Sequence, residues 1–244
     1  MLRHVPPFSL LADDELAALL PLVQRRSYRA GALILRGGDI ADGLFAIVSG
    51  RVTVLVDDGE AHEFIVSERG PRELFGETGL IDDRPSGVTV VSSERCEVLY
   101  VPKKRLVECL WRNAAAAMVV LRMALAGLTE AHRKIEELAL MTVYERVSRV
   151  LLHGAKNVKD EWIVDAGTER IAAMVGASRE MVSRVLKQMV EHGILRRQRR
   201  LLVVLDRAAI AENARLDVRN RPTVSGMRRA HPTDADGAVS PVLT

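Results

Sequence analysis

Between Tyr28 and Val101 short apolar runs alternate with glycine- or aspartate-rich breaks. Ala32–Leu35 is followed by Gly37-Gly38-Asp39, Leu44–Val48 by Ser49-Gly50-Arg51, and Val52–Val56 by Asp57-Asp58-Gly59. Glu63–Val66 then leads to Arg69-Gly70-Pro71, and Val88–Val91 and Val98–Val101 complete the series. Short β-branched segments with a turn every ~8–12 residues predict an antiparallel sandwich, barrel or jelly roll. Ahead of them, Asp13–Leu20 reads as a short helix with acids in its first turn, where the helix dipole favours negative charge.

At Pro102 the texture changes. Lys103–Trp111 reads as a short helix, Asn113 as a break, and a long helix is predicted from Ala114 to about Ala139. Its Met118, Leu121, Leu125, Leu128, Ile135 and Ala139 fall at spacings of 3, 4, 3, 7 and 4, with His132 at the missing position. That heptad seam predicts a parallel homodimer, with Leu121, Leu125, Leu128 and Ile135 at the interface; the alternative is an amphipathic helix packed on its own domain. Met141–His153 reads as another helix, Lys156–Asp160 as a polar connection and Trp162–Val164 as a strand. Beyond about Arg215 there is no periodicity, and 216–244 reads as a disordered tail.

Thr168–Val175, Gly176-Ala177 and Ser178–His192 give helix, turn, helix, and Leu201–Leu205 a strand after an arginine cluster. Thr168 and Ser178 are good N-cap residues, and Gly176 suits the tight turn. Ile171, Ala172 and Val175, then Val182, Val185 and Leu186, supply the inner faces. In a helix-turn-helix the N-terminal residues of the second helix meet base edges in the major groove. Here those are Arg179, Glu180, Ser183 and Arg184, flanked by Ser178 and Lys187. Arginine reads guanine bidentately, and glutamate can accept from cytosine. Arg196-Arg197-Gln198-Arg199-Arg200 reads as the tip of a wing, with Arg199 and Arg200 suited to phosphates.

Charge supports this division. The formal net charge is only +3, but it is distributed unevenly. Residues 1–102 carry ten Lys/Arg against sixteen Asp/Glu, a net of −6, whereas 168–200 carry eight against three, a net of +5. A compact basic block behind an acidic half points to a nucleic-acid contact confined to the second half. The 48% apolar and 27% charged composition is ordinary for a globular protein and excludes global disorder. Cys96 and Cys109 alone cannot build a disulfide framework or an all-cysteine metal site. Met1–Pro7 lacks the apolar core of a signal peptide, and no uninterrupted apolar run approaches ~18 residues; a cytoplasmic protein without a membrane span is expected. An enzyme on a jelly-roll scaffold would need clustered His and carboxylate ligands, and the strand region holds His62 alone, so no enzyme and no metal site are expected.

With these motifs in this order the chain resembles the cAMP receptor protein / fumarate–nitrate regulator superfamily of bacterial transcription factors. The resemblance covers about residues 8–206. It is carried by Gly37-Gly38-Asp39, Leu44–Val52, Leu74-Phe75-Gly76-Glu77 and Val175–Arg184. It implies an α+β architecture: an antiparallel cyclic-nucleotide-binding-like β-roll (1–113), a dimerisation helix (114–139) and a winged helix-turn-helix (140–215). Double-stranded DNA, a second copy of the chain and RNA polymerase are the implied partners. A ligand-binding module with a vestigial helix-turn-helix is the alternative.

The resemblance also places an effector site on Gly76, Glu77, Arg84, Ser86 and His132. Glu77 keeps the position that would hold a ribose hydroxyl. The position of the phosphate-binding arginine falls on Ser86, that of the following serine on Gly87, and those of two adenine-reading hydroxyls on Ala131 and His132. A buried phosphate needs a charge-assisted partner, which Ser86 cannot supply. The expected effector is therefore not cAMP, and either a cyclic dinucleotide held by Arg84 and other arginines or constitutive DNA binding takes its place. His4, His62 and the cysteines offer no haem ligand pair at a convincing spacing.

Overall fold

The computed structural model describes Arg3, Val5 and residues 8–59, 62–81, 84–199 and 201–214. Arg200 and the 216–244 tail, named above from the sequence, lie outside the described residues, as does His4.

Helix α1 (Asp13–Leu19) is followed by strands β1 (Gln24–Tyr28), β2 (Leu33–Leu35), β3 (Gly43–Ser49), β4 (Val52–Asp57), β5 (Glu63–Arg69) and β6 (Leu74–Phe75). A single turn, α2 (Thr78–Ile81), leads to β7 (Thr89–Ser92) and β8 (Cys96–Pro102). The strands pair antiparallel into two sheets, ordered β1-β8-β3-β6 and β2-β7-β4-β5. Strand β3 shows why its sequence is a continuous apolar run. Phe45 and Ile47 point between the sheets, where the Phe45 and Phe75 rings stack at 4.8 Å. Leu44 and Ala46 point to the outside, which α1 and two later helices cover with Leu16, Leu19, Leu106 and Ala116. A strand buried on both faces has no need of alternation.

Two polar strands escape the hydrophobic pattern. Gln-Arg-Arg-Ser-Tyr forms β1, an edge strand paired only with β8, from Gln24↔Tyr100 to Tyr28↔Cys96. The predicted polar connection at Lys156 is an edge strand too, β9 (Lys156–Val158), paired with β10 (Glu161–Val164). Charged edges discourage pairing with other chains, so an edge strand can lack an apolar stripe.

Helix α3 (Lys103–Arg112) ends at Asn113, as predicted, and α4 (Ala114–Leu140) begins there. The Asn113 side chain accepts a hydrogen bond from the Ala116 amide at 3.0 Å and donates to Leu10 O at 3.0 Å, capping α4 and tying it to the N-terminal segment. At Met141 and Thr142 the backbone becomes extended and α5 (Val143–Gly154) starts. Its capping box is complete: the Glu145 amide donates to Thr142 Oγ1, and the Thr142 amide donates to the Glu145 carboxylate at 2.6 Å.

The C-terminal unit packs α5, α6 (Thr168–Val175) and α7 (Arg179–Glu191) over a sheet ordered β11-β12-β10-β9, with β11 (Leu195–Gln198) and β12 (Leu201–Val204) as a hairpin. Helix α8 (Arg207–Asn213), not foreseen from the sequence, buries Ile210 and lays the Arg207 guanidinium 4.0 Å from the Trp162 ring centre. A smaller correction concerns the cap of α6. Its N-cap is Gly167, and Thr168 is the first helical residue.

Candidate nucleic-acid interface and effector site

The turn between α6 and α7 is set by two residues. Gly176 ends α6 at φ +62°, the left-handed conformation, and its amide donates to Ala172 O. Ser178 then caps α7, its hydroxyl accepting from the Met181 amide at 3.2 Å. Beyond the cap, Val182, Leu186 and Met189 face inward and are buried, while Arg179, Glu180, Ser183, Arg184 and Lys187 are exposed. Val185, expected on the inner face, is half-buried and packs against the same core, and Met189 completes the buried stripe. Arg179 lies 3.6 Å from Glu169 on α6, and Lys187 lies 3.7 Å from Glu191. The Glu180 carboxyl is held below its usual pKa by its own backbone amide and by the Ser178 hydroxyl.

The β11–β12 hairpin stands beside this face. Arg199 takes a positive φ of 55° at its tip and is exposed. Arg196 is anchored to Glu161 of β10 at 2.6 Å. Arg197 donates to Thr168 Oγ1 at 3.4 Å, which gives the Thr168 hydroxyl a partner other than a cap. Arg197 thus joins the wing to the start of α6, a role that sequence could not assign because its partner is 29 residues away.

In the β-roll, Gly76 has a φ of +88°, and a Cβ there would lie 2.7 Å from Gly43 O; only glycine fits. Glu77 follows and is taken by Arg69 of β5: Arg69 Nη2 donates to Glu77 Oε1 at 3.1 Å. Arg69 was not among the residues predicted for this site. The Ser86 side chain is buried and spent on its own turn, donating from Oγ to Val88 O at 2.8 Å. Its backbone is closed against Gly38 and Asp39 by two bonds of 2.8 Å. Arg84 is exposed. His132 is exposed on α4, away from these turns in sequence and on the stripe with Leu125, Leu128 and Ile135.

The chain matches two family models, a cyclic nucleotide-binding domain at residues 25–113 and a Crp-like helix-turn-helix domain at 145–212. It is 30% identical over 195 residues to the cAMP-activated global transcriptional regulator Vfr of Pseudomonas aeruginosa, covering 76% of this chain and 91% of that one. The chain belongs to the Crp–Fnr family. The CRP-like protein Clp of Xanthomonas campestris is 27% identical over 214 residues, covering 83% of this chain and 93% of its own. The structure of Clp, described as a c-di-GMP-responsive global regulator, superposes with a TM-score of 0.70 at 25% identity over 79% of this chain and 99% of that one.

As a Crp–Fnr regulator the chain is a DNA-binding transcription factor that carries a cyclic-nucleotide-binding domain. Within that frame α4 is unusual for a helix on a single chain. Leu121, Leu125, Leu128 and Ile135 are 47%, 52%, 51% and 62% exposed, so the whole predicted seam lies bare along one side. Among the described residues α4 is also the helix long and apolar enough to cross a membrane, by length and composition alone. This departs from the expectation of no such segment. Counting uninterrupted apolar runs misses it because Arg122 and Glu130 interrupt a stretch whose alanines and leucines still carry the average.

Proposed function

We propose that the protein is a cytoplasmic homodimeric regulator that reads a palindromic operator through α7 and recruits or blocks RNA polymerase, under a signal other than cAMP. The exposed face Arg179–Arg184 behind a fixed Ser178 cap carries this reading, because it presents two arginines and a charged carboxylate where base edges lie in a docked helix-turn-helix. Arg179 and Arg184 read guanine, Glu180 accepts from cytosine, and Ser183 meets a neighbouring base or phosphate. Lys187 and the Arg199-Arg200 wing hold phosphates. The bare leucine stripe of α4 pairs with its two-fold mate, which accounts for its apolarity without a lipid environment.

Three features of the β-roll disfavour cAMP. Ser86 spends its hydroxyl locally, Glu77 already has a cationic partner, and Gly87 offers no side chain where the following serine would stand. Losing a buried charge-assisted bond costs on the order of 2–5 kcal/mol, roughly 30- to 5,000-fold in affinity. A second reading is favoured by Clp, the 27%-identical relative whose structure is described as c-di-GMP-responsive: here, too, a cyclic dinucleotide is the effector. Calorimetry of the purified protein with cAMP, cGMP and cyclic di-GMP, paired with capture of genomic DNA, tests both. A palindromic consensus without micromolar cAMP binding is expected. Micromolar cAMP that also tightens DNA binding refutes the effector assignment, and capture without sequence preference refutes the recognition assignment.

A further inference from the structure

A cavity of about 840 Å³ opens where the β-roll, the end of α4, α5, α6 and α8 converge. It is distinct from the turns around Glu77 and Ser86, none of whose residues line it. Its walls carry an excess of positive charge: among the described residues Arg133, Lys134, Arg146 and Arg149, with His153, line it against Glu68 and Glu137. Glu68 is already engaged by Arg170. Glu137, 6% exposed, is shared by Arg133, by Arg149 at 2.8 Å and by Lys134 at 3.8 Å. Glu130 takes a second share of Arg133. Arg146 has no carboxylate within ion-pair distance among the described residues. Its Nη1 reaches the Leu138 and Met141 carbonyls at 3.2 and 3.5 Å, and its Nε is buried without a hydrogen-bond partner. Burial pushes both Arg146 and Lys134 down from their usual pKa.

Several cations confined around one carboxylate, with a guanidinium N–H left over, form an arrangement that a further anion relieves. Phosphate is the anion that suits it, because a guanidinium and an ammonium together satisfy its several acceptor oxygens. Phe64, Leu138 and Val150 on the same walls offer an apolar surface for a flat ring, and the volume lies in the range of small-molecule sites. We propose that this cavity is a second ligand site that takes a phosphate-bearing small molecule of nucleotide size, held by Lys134 and Arg146. The two cations stand on opposite sides of the Met141-Thr142 break, one on α4 and the other on α5. An occupant therefore fixes the angle between α4 and the helix-turn-helix, and its binding is linked to DNA affinity.

The test is calorimetry on the full chain with four probes: inorganic pyrophosphate, GTP, cyclic di-GMP and guanosine. GTP or cyclic di-GMP is expected to bind, pyrophosphate more weakly, and guanosine not at all. Lys134→Met and Arg146→Gln should each weaken the best probe roughly thirtyfold. Arg95→Gln, at an exposed β-roll position outside both sites, should leave it unchanged, and Glu77→Gln separates this site from a ligand of the β-roll. Circular-dichroism melts of each variant establish that it is folded; Arg146→Gln removes bonds to the end of α4, so Lys134→Met is the decisive variant. Absence of heat with every phosphate-bearing probe at millimolar concentration overturns the proposal. So does an affinity that Lys134→Met leaves intact, or one lost in Glu77→Gln, which would assign the ligand to the β-roll. None of these outcomes touches operator recognition, which is read separately by DNA capture.

Discussion

On the proposed DNA-facing surface, side chains that share a charge are assigned different tasks. Arg184 projects from the exposed face of α7, whereas Arg199 sits at the wing tip in a left-handed backbone conformation that keeps it clear of the sheet. Arg184→Ala should therefore cost about 1–3 kcal/mol of specific binding and relax one base position. Arg199→Ala should weaken all sequences alike and flatten the salt slope by about one phosphate's share. Fluorescence anisotropy on operator and random duplexes, over a salt series, separates the two, and equal losses on both duplexes for Arg184→Ala would reduce it to a phosphate contact. Gly176 is demanding in another way. Its φ is +62°, and a Cβ would meet Leu138 at 2.9 Å and Phe64 at 3.1 Å. Gly176→Ala should lower stability by about 1–2 kcal/mol from the left-handed conformation alone, measurable as a lower urea midpoint; an unchanged midpoint would show that this turn takes a Cβ without backbone strain. Single residues also mark where the sequence stops being informative. Ser178 and Gly176 announce themselves through local rules, because cap and turn chemistry are contained within four residues. Arg69 and Arg197 do not, because their meaning comes from partners brought to them by β-sheet registry.

For whole segments, legibility follows burial. Strands β3, β4, β7 and β8 are apolar and were anticipated, as were α3, α4 and the α6–α7 pair. Strands β1 and β9 were missed because an edge strand needs no apolar stripe, and α8 because its hold on the domain is Ile210 and one arginine–tryptophan contact across the fold. The long helix is the opposite case: its heptad was legible because it is not used within one chain. Leu121, Leu125 and Leu128 are about half exposed, and the proposed pairing with a second copy would bury what the single chain leaves bare. Leu125→Glu puts like charges across a two-fold seam. It should give monomers in sedimentation equilibrium and abolish specific DNA binding, since each half-site alone is held weakly. A monomeric variant that bound the operator at wild-type affinity would detach the seam from function. A variant that partitioned into lipid vesicles less than the parent would instead give the α4 hydropathy a membrane explanation.

Across the whole molecule, the two globular units are joined by the Met141-Thr142 break, which the Glu137–Arg149 pair at 2.8 Å and the Arg146–Leu138 carbonyl bond at 3.2 Å span, and by a contact of β5 with α6. Phe64 of β5 lies against Gly176 and within 5.8 Å of the Lys134 ammonium, and Arg170 pairs with Glu68. The ion pair is half-exposed, with side chains 42% and 32% accessible, and a pair in that setting contributes at most about 1 kcal/mol. Between β5 and α6 the contact is one partly buried ring and one exposed pair, and inter-domain contacts of this kind ordinarily permit relative motion. Release of α6 from the β-roll face is thus a step that a ligand or a bound operator can bias, while the Glu137–Arg149 pair keeps the hinge itself together. Phe64→Ala should expose the contact without disturbing either core, because Phe64 belongs to neither hydrophobic cluster. Hydrogen exchange should speed up in α6 and around Met141-Thr142 while Leu44–Val48 and Val182–Met189 stay protected, and the radius of gyration in X-ray scattering should rise. An unchanged exchange map with an unchanged radius would mean that the domains are held by the hinge itself, and control of DNA binding would then have to act through the α4 seam.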